Sequence, residues 1–91
     1  MRFTWDERKR KSNLRNHRLD FRDVPAVFDG PTFTIEDDRF TYAEQRFMTL
    51  GFLGGVVVSI VHTETPSTIR VISFRKATQN EEVLLFQSLK D

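Results

Sequence analysis

The 91-residue chain has no cysteine, two histidines, four glycines and three prolines. Without cysteine there is neither a disulfide framework nor a thiolate metal site. No apolar run approaches the ~18 residues a membrane helix needs. The charged N-terminus is followed by no apolar segment, so it does not read as a signal peptide. The expectation is one soluble, cytoplasmic domain spanning residues 1–91, with no membrane association. Glycine is too scarce for a phosphate-binding loop, since Gly51-Phe52-Leu53-Gly54-Gly55 reads as hairpin punctuation. Ser59 and Ser73 lie within strands and belong to no nucleophile elbow. His62 and Glu64 have a spacing that can hold a metal from one strand face, but two ligands do not make a site. Neither a metal nor another cofactor is expected.

What the chain does have is charge, unevenly placed. Residues 1–22 carry eight of the fourteen Lys and Arg against three acids. Residues 23–44 reverse this, with six acids against Arg39. Such a split predicts one surface that faces a polyanion and another of opposite sign.

Arg2-Phe3-Thr4-Trp5 reads as a short strand, and Asp6 as the N-cap of a helix running to about His17. That helix has few apolar residues. Leu14, His17 and Phe21 form one stripe, which makes a packed His17 the simplest outcome. A second stripe is wholly basic: Arg8, Lys11, Arg15, Arg18 and, if the helix continues, Arg22. Steps of three and four place them on one face. The face is either merely solvated or a phosphate contact. Leu19–Arg22 reads as a connector, and Asp23–Phe28 as a short helix capped by Asp23 and stopped by Asp29-Gly30-Pro31.

Thr32–Glu36 is predicted as a strand and Asp37–Gln45 as an acidic loop. Arg46–Leu53, Val56–Thr63 and Thr68–Arg75 form a meander, and Thr78–Lys90 a closing helix. Gly54-Gly55 is a two-residue hairpin signal. Thr78 and Glu81 have capping-box spacing. Pairing Leu53 with Val56 sets Phe47 opposite His62. Pairing Thr63 with Thr68 sets Arg70 opposite Val61. In that register Arg70 shares a face with Arg46, Met48, Leu50, Phe52, Val57, Val61, Ile72 and Phe74. Arg75 falls on the other face, with Phe47, Val56, Val58, Ile60, His62 and Val71. Both faces are largely apolar, so both should be covered.

Arginine in a central strand is costly unless something anionic meets it. This inventory of cations, histidines and acids suits RNA cleavage, because RNA carries its own nucleophile in the 2′-hydroxyl. Cleavage then needs cations at the phosphate and groups that move protons. Arg70, Arg75 and Lys76 fit the first task, and His17 or His62 the second. The alternatives are structural. Arg70 would pair with Glu36 or Glu44, Arg75-Lys76 would be a solvated strand end, and both histidines would be packed. Arg75, beside the helix start at Thr78, is the stronger phosphate candidate, because helix N-termini also attract anions.

Several segments resemble the BrnT toxins: Trp5-Asp6, the basic helix with Asn13 and His17, Asp20-Phe21, Val27-Phe28-Asp29, Glu44-Gln45-Arg46, Gly51, and above all Ile69-Arg70-Val71-Ile72-Ser73-Phe74-Arg75-Lys76-Ala77 through Glu81-Glu82. The resemblance covers essentially the whole chain. It implies an α+β fold of RelE-like type: an antiparallel sheet of about four strands with N-terminal helices and a C-terminal helix. It also implies a metal-independent endoribonuclease of a bacterial type II toxin–antitoxin pair, which cleaves RNA and blocks translation. A BrnA-type ribbon-helix-helix antitoxin would neutralise it, and DNA would be met only through that antitoxin. By the resemblance Arg70, Arg75, His17 and Arg46 match family residues; the basic stripe of Arg8, Lys11, Arg15 and Arg18, together with Lys76, is expected from its placement to contact RNA. Arg18 stands where the family usually has glycine, Phe74 where it has a small residue, and Phe86 where a tyrosine is expected. The rival reading is a non-catalytic module that binds nucleic acid or protein.

Overall fold

A computed structural model of the chain describes residues 1–39, 41 and 43–90. The elements follow as β1 (Arg2–Thr4), α1 (Glu7–His17), a 3-10 turn (Phe21–Asp23), α2 (Val24–Phe28), β2 (Phe33–Glu36), β3 (Phe47–Leu53), β4 (Val56–Glu64), β5 (Thr68–Lys76) and α3 (Gln79–Lys90). The sheet has five strands in the order β1-β5-β4-β3-β2, one more than expected. The added member is β1, expected as a strand but not as part of the sheet; it pairs in parallel with the start of β5, whereas the other pairings are antiparallel. The acidic loop expected over 37–45 includes Phe40 and Tyr42, which lie outside the described residues.

The β3–β4 hairpin keeps the expected register, with Leu53 opposite Val56 and Phe47 opposite His62. Gly54 and Gly55 both take positive φ, at 56° and 79°, as a primed two-residue turn requires. The β4–β5 pairing departs from expectation. Ile69 faces Glu64, Arg70 faces Thr63 and Val71 faces His62, but Ser73 then faces Val61. Ile72 is therefore an unopposed extra residue, a β-bulge. One inserted residue exchanges the faces of everything beyond it. Phe74 turns to the side of Val71, and Arg75 to the side of Arg70.

One face of the sheet is closed by the 3-10 turn and α2. Phe21, Val24 and Val27 pack on Val58, Ile60, Val71 and Phe74, with Phe3, Trp5, Leu19, Phe28 and Leu53 around them. Gly51 lets α2 approach: a Cβ there would lie 2.6 Å from Val27 Cγ1. The opposite face is covered in part. α3 sets Leu85 on Met48, Leu50 and Val57, with Phe33, Ile35, Phe52 and Ala77 at its margin. Val83, Leu84 and Leu89 stay exposed on this helix, and Phe86 is half exposed with its ring 5.9 Å from that of Phe52.

Helix ends follow the sequence with one exception. Asp6 Oδ1 accepts from the N–H groups of Arg8 and Lys9 at 2.8 and 3.3 Å. Thr78 and Glu81 form the reciprocal capping box, at 2.9 and 3.2 Å. Asp23 makes no side-chain cap on α2; Asp20 instead accepts from Arg22 N–H at 3.0 Å. Arg18 ends α1 in the left-handed conformation, φ 61°, the geometry that glycine takes most easily at this position.

Candidate functional site

β1 covers only residues 68–70 of β5, so the next stretch of that edge has no strand partner on its outer side. α1 takes the place of the missing strand. Asn13 accepts from Phe74 N–H at 3.0 Å and donates to the Phe74 carbonyl at 2.7 Å. It also donates to the Leu19 carbonyl at 3.0 Å. Both polar groups of a buried strand residue are satisfied by one amide, as buried backbone requires. A second anchor is Arg10, a buried cation gripped by Glu7 at 2.9 Å and Asp20 at 3.2 Å. Hydrogen bonds from Arg10 first, and then from Trp5, hold the Glu7 carboxyl down at about 2. The helix is thus tied down by polar contacts, which explains its poverty in apolar residues. Its outer stripe of Arg8, Lys11 and Arg15 is exposed, as are Arg18 and Arg22, but the helix stops at His17, so Arg22 stands in the 3-10 turn and does not continue the stripe.

The bulge organises the rest. Arg70 and Arg75 lie on the same face, in the rows of Thr63 and Ser59 on β4. Those rows are four steps apart on β4, about 13 Å along the strand. This overturns the expected placement on opposite faces, and the single inserted residue is the reason. Arg46 precedes Phe47, which faces His62, so strand alternation puts it in line with Thr63 and Arg70. Its guanidinium lies 3.7 Å from the Glu44 carboxylate.

The two arginines differ in state. Arg75 is bound bidentate to Glu81, at 2.8 and 2.9 Å, and also donates to the Lys76 carbonyl at 3.1 Å. The Arg75 hydrogen bond is the first reason that the Glu81 carboxyl is held below its ordinary range, with the Thr78 N–H adding to it. Glu81 thus serves two ends, as the cap partner of α3 and the counter-charge of β5. Lys76 beside them is exposed. Arg70 is exposed too, and among the described residues its side chain meets neither Glu36 nor Glu44.

The histidines also part company. His62 is fully buried. Its ring stacks near Phe47 at 6.0 Å and meets Phe28 edge-on at 5.5 Å. Nε2 lies 2.7 Å from Thr49 Oγ1, which in turn lies 2.7 Å from Thr34 Oγ1. Burial pushes its pKa down, opposed in part by Glu64, whose carboxylate lies 3.8 Å from Nδ1. His17 is exposed at the end of α1 rather than packed beneath Leu14. It helps line a shallow concavity of about 260 Å³ with Lys9, Ser12, Asn13, Asn16 and Ile72. The bulged residue of β5, two positions from Arg70, therefore shares a hollow with the exposed histidine. Asn13, Arg10 and Glu81 were not foreseen as determinants of this geometry. The capping-box spacing was the one signal that could have exposed Glu81.

A model of the BrnT ribonuclease toxin of type II toxin–antitoxin systems matches residues 5–81. The chain belongs to the BrnT family. Among solved structures, this BrnT protein is similar to the 1.1 Å crystal structure of the Brucella abortus ribonuclease toxin BrnT, with 32% identity and a TM-score of 0.69. That match covers 87% of this chain and 99% of the Brucella protein. No curated protein matches the sequence. The family is that of ribonuclease toxins of type II toxin–antitoxin systems. Among its described residues, no helix is long and apolar enough to cross a membrane.

Proposed function

We propose that this BrnT protein is an endoribonuclease that cleaves RNA without a metal ion and so blocks translation. The observation that carries the reading is the Ile72 bulge. It sets Arg70 and Arg75 on one face, and Ile72 lines the same hollow as His17. In the reaction, the 2′-hydroxyl oxygen attacks the adjacent phosphorus and the bond to the 5′-oxygen breaks. The hydroxyl proton leaves to a base, and the departing 5′-oxygen takes up a proton. The products are a 2′,3′-cyclic phosphate and a 5′-hydroxyl end.

Arg70 is the main phosphate ligand, since it is exposed and its fork is open to two phosphate oxygens. Arg75, already engaged by Glu81, is a second and weaker cation, which reverses the order that helix proximity implied. Arg46 lies in Arg70's row, and Lys76 extends the positive surface past Arg75. His17 is the proton-transfer group. His62 has no such role in this reading, because it is sealed between two rings. Arg8, Lys11, Arg15 and Arg18 hold flanking phosphates, with a salt-dependent affinity.

The test is cleavage of a defined RNA by the purified chain in excess chelator. Wild type should cut it. Arg70→Ala should lower kcat/KM by on the order of 10²–10³, the loss seen when one preorganised donor to a reacting group is removed. Intact RNA at high wild-type enzyme would sink the ribonuclease reading. Cleavage that needs added magnesium would sink only metal independence. The partner in the cell is a BrnA-type ribbon-helix-helix antitoxin, with DNA contacted only through it, and the setting is the cytoplasm. Induction without the antitoxin should arrest growth, and co-expression should restore it.

A further inference from the structure

We propose that the hollow between α1 and the β5 bulge is a subsite for one nucleotide of the RNA strand, which takes the base and lays its phosphate toward the basic stripe. This rests on the ribonuclease reading and goes further by assigning a specificity site. Two concavities set the choice. The one lined by Glu36, Asp37, Asp38, Glu44 and Arg46, about 320 Å³, sets four carboxylates against one arginine and disfavours a polyanion. The hollow of Lys9, Ser12, Asn13, Asn16, His17 and Ile72 contains no acid.

Its groups divide by task. Asn13 is fully committed to Phe74 and Leu19, so it fixes the wall and recognises nothing. Asn16 makes one long contact, its Nδ2 lying 3.5 Å from Ser12 Oγ. Its carbonyl oxygen, its second N–H and the Ser12 hydroxyl hydrogen remain available. A side-chain amide offers a donor and an acceptor side by side, the pattern that reads a base edge. Ile72 supplies an apolar floor and His17 a ring, and RNA-binding proteins hold unstacked bases against such surfaces. Lys9 supplies a point charge for phosphate. Ser12 is one turn from both Arg8 and Arg15, so the hollow opens onto the exposed basic stripe. The floor residue lies two positions along β5 from Arg70. A nucleotide seated here adjoins the phosphate that Arg70 would hold.

The experiment has two arms on the full-length protein. In the first, cut sites on one RNA of mixed sequence are mapped for wild type, Asn16→Ala and Ser12→Ala/Asn16→Ala, with thermal unfolding as a control for folding. Wild type should prefer particular bases at one position beside the cut. Asn16→Ala should flatten that preference by about tenfold, the scale of one paired base contact, and raise KM more than it lowers kcat. An unchanged preference with unchanged KM overturns the subsite. In the second arm, the four ribonucleoside 5′-monophosphates are titrated into wild type and followed by NMR. Shifts should centre on the Asn16 side-chain amide and the His17 ring, and a response elsewhere or nowhere overturns the subsite. If wild type cuts no RNA, the ribonuclease reading fails, and the titration alone decides the subsite.

Discussion

The two faces of one sheet are built from the same strands and finish differently. On the closed face, the 3-10 turn and α2 bury Phe21, Val24 and Val27 completely, and even a histidine is enclosed. On the other, α3 sits over the β2–β3 half, and the β5 side keeps an exposed arginine. His62 and Arg70 lie in adjacent rows, within two pairings of each other, yet one is cut off from water and the other open to it. The first face is closed along its length, whereas the second is closed by α3 over one half and open along β5. The comparison breaks if a change in the core of the closed face leaves folding intact, or if a change in the open β5 half of the other face unfolds the protein.

The largest effect is expected from Phe21→Ala. Phe21 is fully buried, with Trp5 edge-on at 6.3 Å. Truncating a buried phenylalanine costs about 3–5 kcal/mol, a large part of what a domain of this size has. Chemical denaturation should show the midpoint falling steeply or folding lost. Arg70→Ala is the matching change on the open face, and its melting temperature should stay within a degree or two of wild type.

Much of this division was legible in the residues and part of it was not. Gly54-Gly55 carried the β3–β4 register, because a two-residue primed turn leaves no freedom in pairing. The Thr78/Glu81 spacing carried the start of α3. The bulge left no trace. Val71, Ile72 and Phe74 are all apolar and suit either face of a sheet covered on both sides, so the sequence pattern could not report a slip of one residue. The site inherited that error, as Arg75 was assigned to the wrong face. The polar docking of α1 was equally hidden. Asn13 matters because β1 stops at Thr4 and leaves Phe74 bare, a fact of topology rather than of helix periodicity. Arg10 looked like one more base in a basic helix and is instead buried against Glu7 and Asp20.

Asn13 offers the next test, at the seam between the two faces. Asn13→Ala removes three hydrogen bonds and strands the N–H and carbonyl of Phe74 at a buried edge. Leaving a buried polar group unsatisfied costs ~1–3 kcal/mol, so urea denaturation should show a loss of that order. Asn13→Asp sharpens the point. It keeps an acceptor for Phe74 N–H but turns a second carboxylate oxygen toward the two carbonyls. It should therefore recover little of the loss. If Asp proves as good as Asn, the contact to Phe74 N–H alone holds α1 in place, and the substitute-strand account is wrong.

The smallest effect is a slope. His62 sits on the closed face with Thr49, Phe28 and Phe47 around it and Glu64 as its charged neighbour. Desolvation lowers its pKa from the ordinary 6.5, and Glu64 opposes the shift without reversing it. The folded protein therefore binds a proton less readily than the unfolded chain does. The stability from neutral His62 is complete above pH 6.5 and declines as the pH falls below that value. The carboxylates held low, Glu7 and Glu81, act further down. Their contributions are lost only as the pH drops below about 4.5, the ordinary value of the glutamate side chain. Between roughly pH 6.5 and 5, then, a falling melting temperature reports His62. His62→Gln keeps a polar partner for Thr49 and cannot titrate, so it should flatten the curve in that window. An equal slope in wild type and variant would place the titrating group elsewhere and show that the closed face tolerates a charge.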